Sequence, residues 1–429
     1  MGFLIKEATL LDPINSENGS VRDILVENGR IVRIGENIQT KGHEVFDCKG
    51  KYVTPGLIDM HCHLREPGRE DEEKIQTGTR SAAMGGFTSV AAMPNTTPPV
   101  DSVLGVKFVQ MLATREGIVN VYPIAAITKK MEGEELTEIG DLTAQGAVAI
   151  SDDGLCVMNA ELMRRALEYS KMFDIPVIQH SEDKNLSADG MMNEGEISLW
   201  LGLKGIPSVA EEVIVSRDIL LAKYTSGRLH VAHVSTKGSV ELIRKAKQEK
   251  IKVTCEVTPH HFTLTDSCLK TFDSRYKVNP PLRSEEDREA IIEGLKDGTI
   301  DAIATDHAPH TIFEKEQEFD YAPFGMIGFE TAVPLVFTEL VHKKILSPYV
   351  AIKKLLEGYK ILNIRNEGLR EGARADITVI DPDFVFTYKK EDIISKSCNT
   401  PFIDREFRGA PILTMVGGRV VMKERKILL

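Results

Sequence analysis

The sequence predicts an α/β fold: a (β/α)8 barrel of the TIM type with a small β domain formed by both chain termini. Eight short apolar runs alternate with helix-like segments through the middle of the chain, at residues 52–60, 87–93, 119–127, 147–151, 176–179, 229–234, 252–257 and 301–305. Such alternation is the signature of a parallel sheet, and eight strands close a barrel. Both ends of the chain read instead as strands and turns. Finally, eight of the eleven histidines sit at the ends of the apolar runs. A barrel of this kind builds its active site at the C-terminal ends of its strands, so the histidines predict one shared site.

Taken in order, residues 23–34 are two apolar strands around Asn28-Gly29, a strong hairpin signal. Residues 375–380 and 412–421 are again strands, bounded by Gly and Pro. Neither end has enough strands to bury a core alone, so the two are expected to pair. Residues 1–52 plus 366–429 are then a small β-sandwich domain, and 53–365 the barrel. Pro55-Gly56 marks a bend before His61-Cys62-His63. On an extended strand residues i and i+2 share a face, so both imidazoles can reach one metal ion; the bland alternative is an accidental pair on a solvated edge. The second run leads to Asn95, the fourth to Asp152-Asp153 and the fifth to His180. The sixth ends near His233, the seventh near His260 and His261, and the eighth at Asp306-His307, with His310 beyond. Between the runs, Ser284 carries a helix-capping signal, and Ala290, Ile291, Ile292 and Leu295 give that helix a buried stripe before Gly298. Leu162, Met163, Ala166 and Leu167 do the same after Asn159. These stripes read as core packing.

A chain of 429 residues exceeds what one core usually supports, which agrees with two domains. Lys plus Arg number 53 against 64 for Asp plus Glu, a net charge of -11 that repels nucleic acid and anionic lipid. The first residues offer too short an apolar run for a signal peptide, and no stretch is long enough to span a bilayer. The six cysteines include no C-x-x-C pair, as expected of free thiols in a reducing compartment. A cytoplasmic location follows as the expectation.

Histidines and aspartates converging on one barrel mouth suit a borderline divalent ion, zinc first. A carboxylate can bridge two such ions, and the chemistry this allows is hydrolytic attack on a carbonyl with a further carboxylate moving protons. The sequence has no Gly-rich phosphate loop before a helix and no Gly-x-Ser-x-Gly elbow.

Several segments together resemble the amidohydrolase superfamily, and within it the longer, bacterial type of dihydroorotase. They are Gly56-Leu57-Ile58-Asp59-Met60-His61-Cys62-His63-Leu64-Arg65-Glu66-Pro67-Gly68, Ala91-Ala92-Met93-Pro94-Asn95-Thr96 and Ser151-Asp152-Asp153-Gly154. Further on come His233-Val234-Ser235-Thr236, Val278-Asn279-Pro280-Pro281-Leu282-Arg283 and Ala304-Thr305-Asp306-His307-Ala308-Pro309-His310. They run in family order through almost the whole chain. The resemblance implies two zinc ions, one held by His61, His63 and Asp306, the other by His180 and His233, with Asp153 bridging. It implies reversible closure of N-carbamoyl-L-aspartate to dihydroorotate in pyrimidine synthesis, with Asp306 as acid and base. The substrate carboxylate is expected on Arg65, Asn95 and His310, the ring on Asn279, and further contacts at His63 and at the backbone of Phe324-Gly325, where relatives often have Pro-Gly. The lysine that many superfamily members carry at the end of strand 4 is absent, which narrows the branch. Another cyclic amidase, such as an allantoinase or dihydropyrimidinase, is the nearest alternative. A non-catalytic scaffold for aspartate transcarbamoylase is the alternative of a different class, and association with that enzyme is compatible with catalysis. A homo-oligomer is expected.

Other residues take bland readings. Asp152 and Asp153 face opposite ways, so only one can enter the site, and the resemblance selects Asp153 and leaves Asp152 structural; His260 and His261 pack behind the site; His230 is a core histidine; His43 and His342 are on the surface; Cys62 is a small buried apolar group. Residues 311–325, with Glu314-Lys315-Glu316-Gln317-Glu318, are too polar for a core and are expected to form a mobile loop that settles over substrate, the alternative being a permanently ordered solvated loop.

Overall fold

Eight parallel strands surround the centre of the computed structural model, which describes residues 2–39 and 42–428. They are Leu57–Cys62, Phe87–Ala92, Asn120–Pro123, Ile150–Ser151, Val177–Gln179, Leu229–Val231, Val253–Val257 and Ala302–Ile303, barrel strands 1 to 8. Strands 1 to 3 pair in sequence, as do strands 4 to 8. A parallel bridge between Ala125 and Ile150 joins strands 3 and 4, and one between Cys62 and His307 closes strand 8 onto strand 1. At that closure Asp306 N donates to His61 O at 3.0 Å and His63 N to His307 O at 2.9 Å. The seam of the barrel therefore runs through the candidate site.

Helices cover the barrel between successive strands, and their ends are set where the sequence signals place them. The Ser284 hydroxyl accepts from Asp287 N at 3.2 Å to start Glu285–Asp297, and Gly298, at φ 84°, ends it. Asn159 caps Ala160–Ser170 through Glu161 N and Leu162 N; Met163, Ala166 and Leu167 are buried beneath it, while Leu162 is only half-buried.

Both termini build one sheet. Gly2–Asp12, Glu17–Glu27, Arg30–Gly35, His43–Asp47 and Tyr52–Pro55 join Ile377–Thr387, Glu406–Val416, Arg419–Lys423 and Lys426–Ile427 in a nine-stranded array. Asn28 (φ 50°) and Gly29 (φ 79°) make the two-residue turn expected between the second and third strands. The ends meet where Tyr52–Pro55 lies antiparallel to Ile377–Thr387 and parallel to Gly2–Asp12. A separate core that includes Ile5, Ile24, Val53, Ile377, Val379 and Met415 lies against this sheet. Two details differ from the sequence reading. The strands form one hydrogen-bonded sheet, with His43–Asp47 branching from the first strand, and the sheet extends past residue 52 to include Val53, Thr54 and Pro55. The apolar run at 52–60 hid that change of partner, because both halves are buried. Gly56 makes the change possible: a Cβ there would stand 2.1 Å from Thr88 Oγ1. Met1 and Leu429, the outer limits of the expected terminal domain, lie outside the described residues.

Residues 311–325 are less solvated than their charge suggests. Lys315, Phe319 and Ala322 are buried. Lys315 Nζ donates to Pro323 O at 2.8 Å and Gly325 O at 3.0 Å, and Lys277 Nζ donates to Phe319 O at 2.6 Å. Two ammonium groups satisfied by the segment's own carbonyls anchor it, a role the run of charges disguised. His43 and His342, expected on the surface, are half-buried, and His342 Nε2–H donates to Pro382 O at 2.8 Å. Among the described residues no helix is long and apolar enough to cross a membrane. All six cysteines are free thiols.

Candidate active site

The strand ends deliver the expected side chains to one place. His61 and His63 face inward while Cys62 between them turns its Sγ to Ala91 O at 3.3 Å, as alternation along a strand requires. The same alternation separates the two aspartates after strand 4. Asp152 turns away and accepts from Ile127 N at 2.8 Å, Thr128 N at 3.1 Å and the Thr128 hydroxyl, leaving Asp153 to enter the site. Arg65 (φ 60°), His233 (φ 32°) and Asp306 (φ 48°) hold backbone conformations that non-glycine residues rarely adopt. Each costs about 1–3 kcal/mol and persists only where the surroundings impose it, which is characteristic of functional sites.

His63 Nε2 lies 3.0 Å and His61 Nε2 3.5 Å from Asp306 Oδ1. Asp153 is 3.4 Å from each of these imidazoles, 3.6 Å from His233 Nε2 and 3.9 Å from His180 Nδ1, while His180 Nδ1 and His233 Nε2 are 2.9 Å apart. Ligand atoms of His61, His63 and Asp306, and separately of His61, Asp153 and His233, all lie within 4.8 Å of one another. His61 Nε2 and Asp153 Oδ1 are buried without a hydrogen-bond partner, an arrangement expensive for polar atoms unless a cation completes it. The donor set of imidazole nitrogens and carboxylate oxygens fits a borderline divalent ion. Burial pushes the Asp153 and Asp306 carboxyls up, but the surrounding histidines outweigh it and hold both below the usual carboxylate range. Burial likewise lowers His61, and Asp153 with Glu256 outweigh it in the other direction.

Behind this layer stand carboxylates that sequence reasoning missed. Glu256 Oε1 accepts from His61 Nδ1 at 2.5 Å, and Glu182 Oε2 from His180 Nε2 at 2.9 Å. Each fixes the tautomer that turns the other ring nitrogen to the centre. For Glu256 a signal existed: a charge in the otherwise uncharged strand Val253–Val257. Asn95 does the same for His63, its Oδ1 accepting from Nδ1 at 2.8 Å. Asn279 Nδ2 donates to Glu182 Oε2 at 2.9 Å.

A cavity of about 320 Å³ opens beside these groups, and its walls include Arg65, Asn95, Asn279, His310, Phe324 and Gly325 as well as His63, Asp153, His180, His233 and Asp306. Of the expected site residues, only His61 lies wholly beneath its surface. Phe324 O lies 2.8 Å from His310 Nε2, and Gly325 sits at φ 136°, where a Cβ would meet Ala308 Cβ at 2.8 Å. Asn399, from the excursion between Ile377–Thr387 and Glu406–Val416, was not foreseen; its amide bridges Ala308 O, Gly325 O and His310 N. No local signal marks it, because its partners are distant in the chain.

The remaining histidines keep structural roles. His307 is stacked on Phe329 with ring centroids 4.0 Å apart and accepts from Gly328 N at 3.1 Å. His261 bonds Thr258 Oγ1 and Pro280 O, and His230 bonds Thr254 Oγ1. His260 is buried, which pushes its imidazole down to about 4.

Known proteins share this arrangement of chain and fold. The family model described as Dihydro-orotase-like matches residues 50–239. A dihydroorotase of Pelotomaculum thermopropionicum is 56% identical over 428 residues, covering 100% of both chains. One of Acetivibrio thermocellus is 53% identical, covering 99% of this chain and 100% of its own. Among solved structures, the L-hydantoinase (dihydropyrimidinase) of Arthrobacter aurescens superposes with a TM-score of 0.89 at 25% identity, covering 100% of this chain and 97% of that one.

Proposed function

Because the chain belongs to the dihydroorotase family, we propose that the barrel mouth is its catalytic site, with two zinc ions held by His61, His63, Asp153, His180, His233 and Asp306. The reaction is the reversible closure of N-carbamoyl-L-aspartate to dihydroorotate and water, and the protein is a metal-dependent cyclic amide hydrolase. One observation carries the site assignment: the unpartnered His61 Nε2 and Asp153 Oδ1 are buried among the other candidate ligands, beside a cavity whose lining includes Arg65, Asn95 and His310. Bound divalent ions supply Lewis-acid polarisation of the ring amide and acidify the attacking water. The protein's own groups do the rest. Asp306 turns Oδ1 to His61 and His63, which leaves Oδ2 to take the water proton and return it to the departing ring nitrogen. Arg65 and His310 hold the substrate carboxylate, Asn279 faces the ring, and Phe324 and Gly325 present backbone to it.

The purified, zinc-loaded chain alone is expected to hydrolyse dihydroorotate, and chelation to abolish the activity. No turnover at full metal occupancy would instead favour a role dependent on a partner such as aspartate transcarbamoylase. The metal assignment has its own test. Glu256→Gln keeps an acceptor for His61 but removes the charge, so zinc affinity measured by chelator competition should fall about 10–100-fold. Unchanged affinity would remove Glu256 from the metal site. We place the enzyme in the cytoplasm, on its free thiols and acidic surface, as a homo-oligomer; Val209, Val213, Leu220 and Tyr224 expose an apolar stripe along Val209–Thr225 that suits such an assembly.

A further inference from the structure

We infer that Glu72 is the positioning residue that presents Arg65 and His310 together to the carboxylate of the substrate, an inference that rests on the assignment of those two side chains to that carboxylate. Glu72 lies between strand 1 and the helix Ile75–Met84 and is 1% exposed. Its two oxygens are divided between the two halves of the cradle. Oε2 lies 3.0 Å from Arg65 Nε as an ion pair, while Oε1 accepts from His310 Nδ1 at 2.7 Å. Arg65 Nη2 in turn lies 3.2 Å from His310 Nε2. A carboxylate oxygen accepts, so His310 carries its Nδ1 proton toward Glu72, and its Nε2 edge is thereby turned to Arg65 and to Phe324 O, 2.8 Å away. Arg65 and His310 both line that cavity, whereas Glu72 stands behind them.

The two side chains come from loops after strands 1 and 8, which also meet directly where Arg65 Nε donates to Pro309 O at 3.1 Å. Glu72 supplies the common partner, and its reach extends further. Arg69 Nη2, 3.2 Å from Glu72 Oε1, also donates to Glu314 Oε1 at 2.5 Å. Glu314 closes a capping box with Thr311, at the start of the segment that carries Phe324 and Gly325. A chain of alternating charge thus ties both walls of the cradle. The grouping of Glu72, His310 and Glu314 resembles a metal triad. Arg65 and Arg69 already occupy its carboxylates, so it serves as an orienting network for side chains that meet an anion.

A double-mutant cycle tests this. Glu72→Ala, Arg65→Met and the pair are compared for kcat, KM on dihydroorotate, zinc content and Tm. Loss of Glu72 alone should raise KM about tenfold or more through misplacement of the cradle, with kcat changed far less and zinc content retained. In the Arg65→Met background the same change should raise KM by a smaller factor, because part of what Glu72 positions is gone. Glu72→Gln, which keeps the shape and one acceptor, should fall between wild type and Glu72→Ala, and it carries the test if the alanine variant does not fold. An unmoved KM overturns the inference. So does an equal effect in both backgrounds accompanied by parallel loss of zinc and Tm, the outcome of a purely structural ion pair. If Arg65→Met itself leaves KM intact, the carboxylate assignment falls, and the inference with it.

Discussion

Asp306→Asn is expected to reduce hydrolysis of dihydroorotate by at least ~10²-fold, the scale of general acid-base catalysis, while the protein stays folded. The substitution keeps an oxygen of the same reach beside His63 Nε2, 3.0 Å away in the native site, and keeps the backbone contact of residue 306 to His61 O. What it removes is the ability to accept and return a proton. Burial raises the native carboxyl, but His63, His61 and His233 outweigh burial and hold it below the usual carboxylate range, so it is present as the carboxylate form that can accept one. The equilibrium between ring and open chain belongs to the reactants, so ring closure must slow by the same factor under the same conditions. Assays in both directions, with zinc content measured on the same preparation, check this. Near-normal turnover would remove Asp306 from proton transfer. A loss that tracks zinc content would make it a ligand only.

Much of this site was legible in the sequence because barrels sort residues by position. Side chains at strand ends converge whatever the loops do, so His61, His63, Asp153, His180, His233 and Asp306 could be gathered from their places after apolar runs, together with His260, His261, His307 and His310, and the resemblance chose the six from among them. The alternation rule separated Asp153 from Asp152 once the resemblance had chosen between them, and the structure gives Asp152 its backbone partners. What stayed hidden is what acts across the chain. Glu256 and Glu182 matter because of the imidazoles they face, Glu72 because it joins two loops, and Asn399 because the terminal domain sends a segment to the barrel mouth. Composition misled at residues 311–325, where Lys315 looked solvated and is buried against carbonyls. The first barrel run misled about the domain limit, since burial on both sides of Gly56 leaves no change of pattern to read.

Arg65→Met is expected to separate substrates by charge. Arg65 is fixed on its inner edge, with Nε to Glu72 Oε2 at 3.0 Å and to Pro309 O at 3.1 Å, and Nη2 beside His310 at 3.2 Å. Its Nη1 takes no part in those bonds, and the side chain lines the cavity. A planar guanidinium so held grips a carboxylate through fixed donors. Removing it strands the substrate anion in a partly dried site, at a cost on the order of 2 to 5 kcal/mol. At about 1.4 kcal/mol per tenfold, kcat/KM for dihydroorotate should fall tens- to thousands-fold. Dihydrouracil has the ring amide but no carboxylate, so whatever slow turnover it shows should hardly change. The competing account is that Arg65 only holds the strand-1 loop. Its contacts to Glu72 and Pro309 give that account substance, and it predicts equal losses on both rings together with lower Tm and zinc content. Parallel losses would withdraw the carboxylate from Arg65 and leave the substrate's charge to be read by Asn95 and His310 alone.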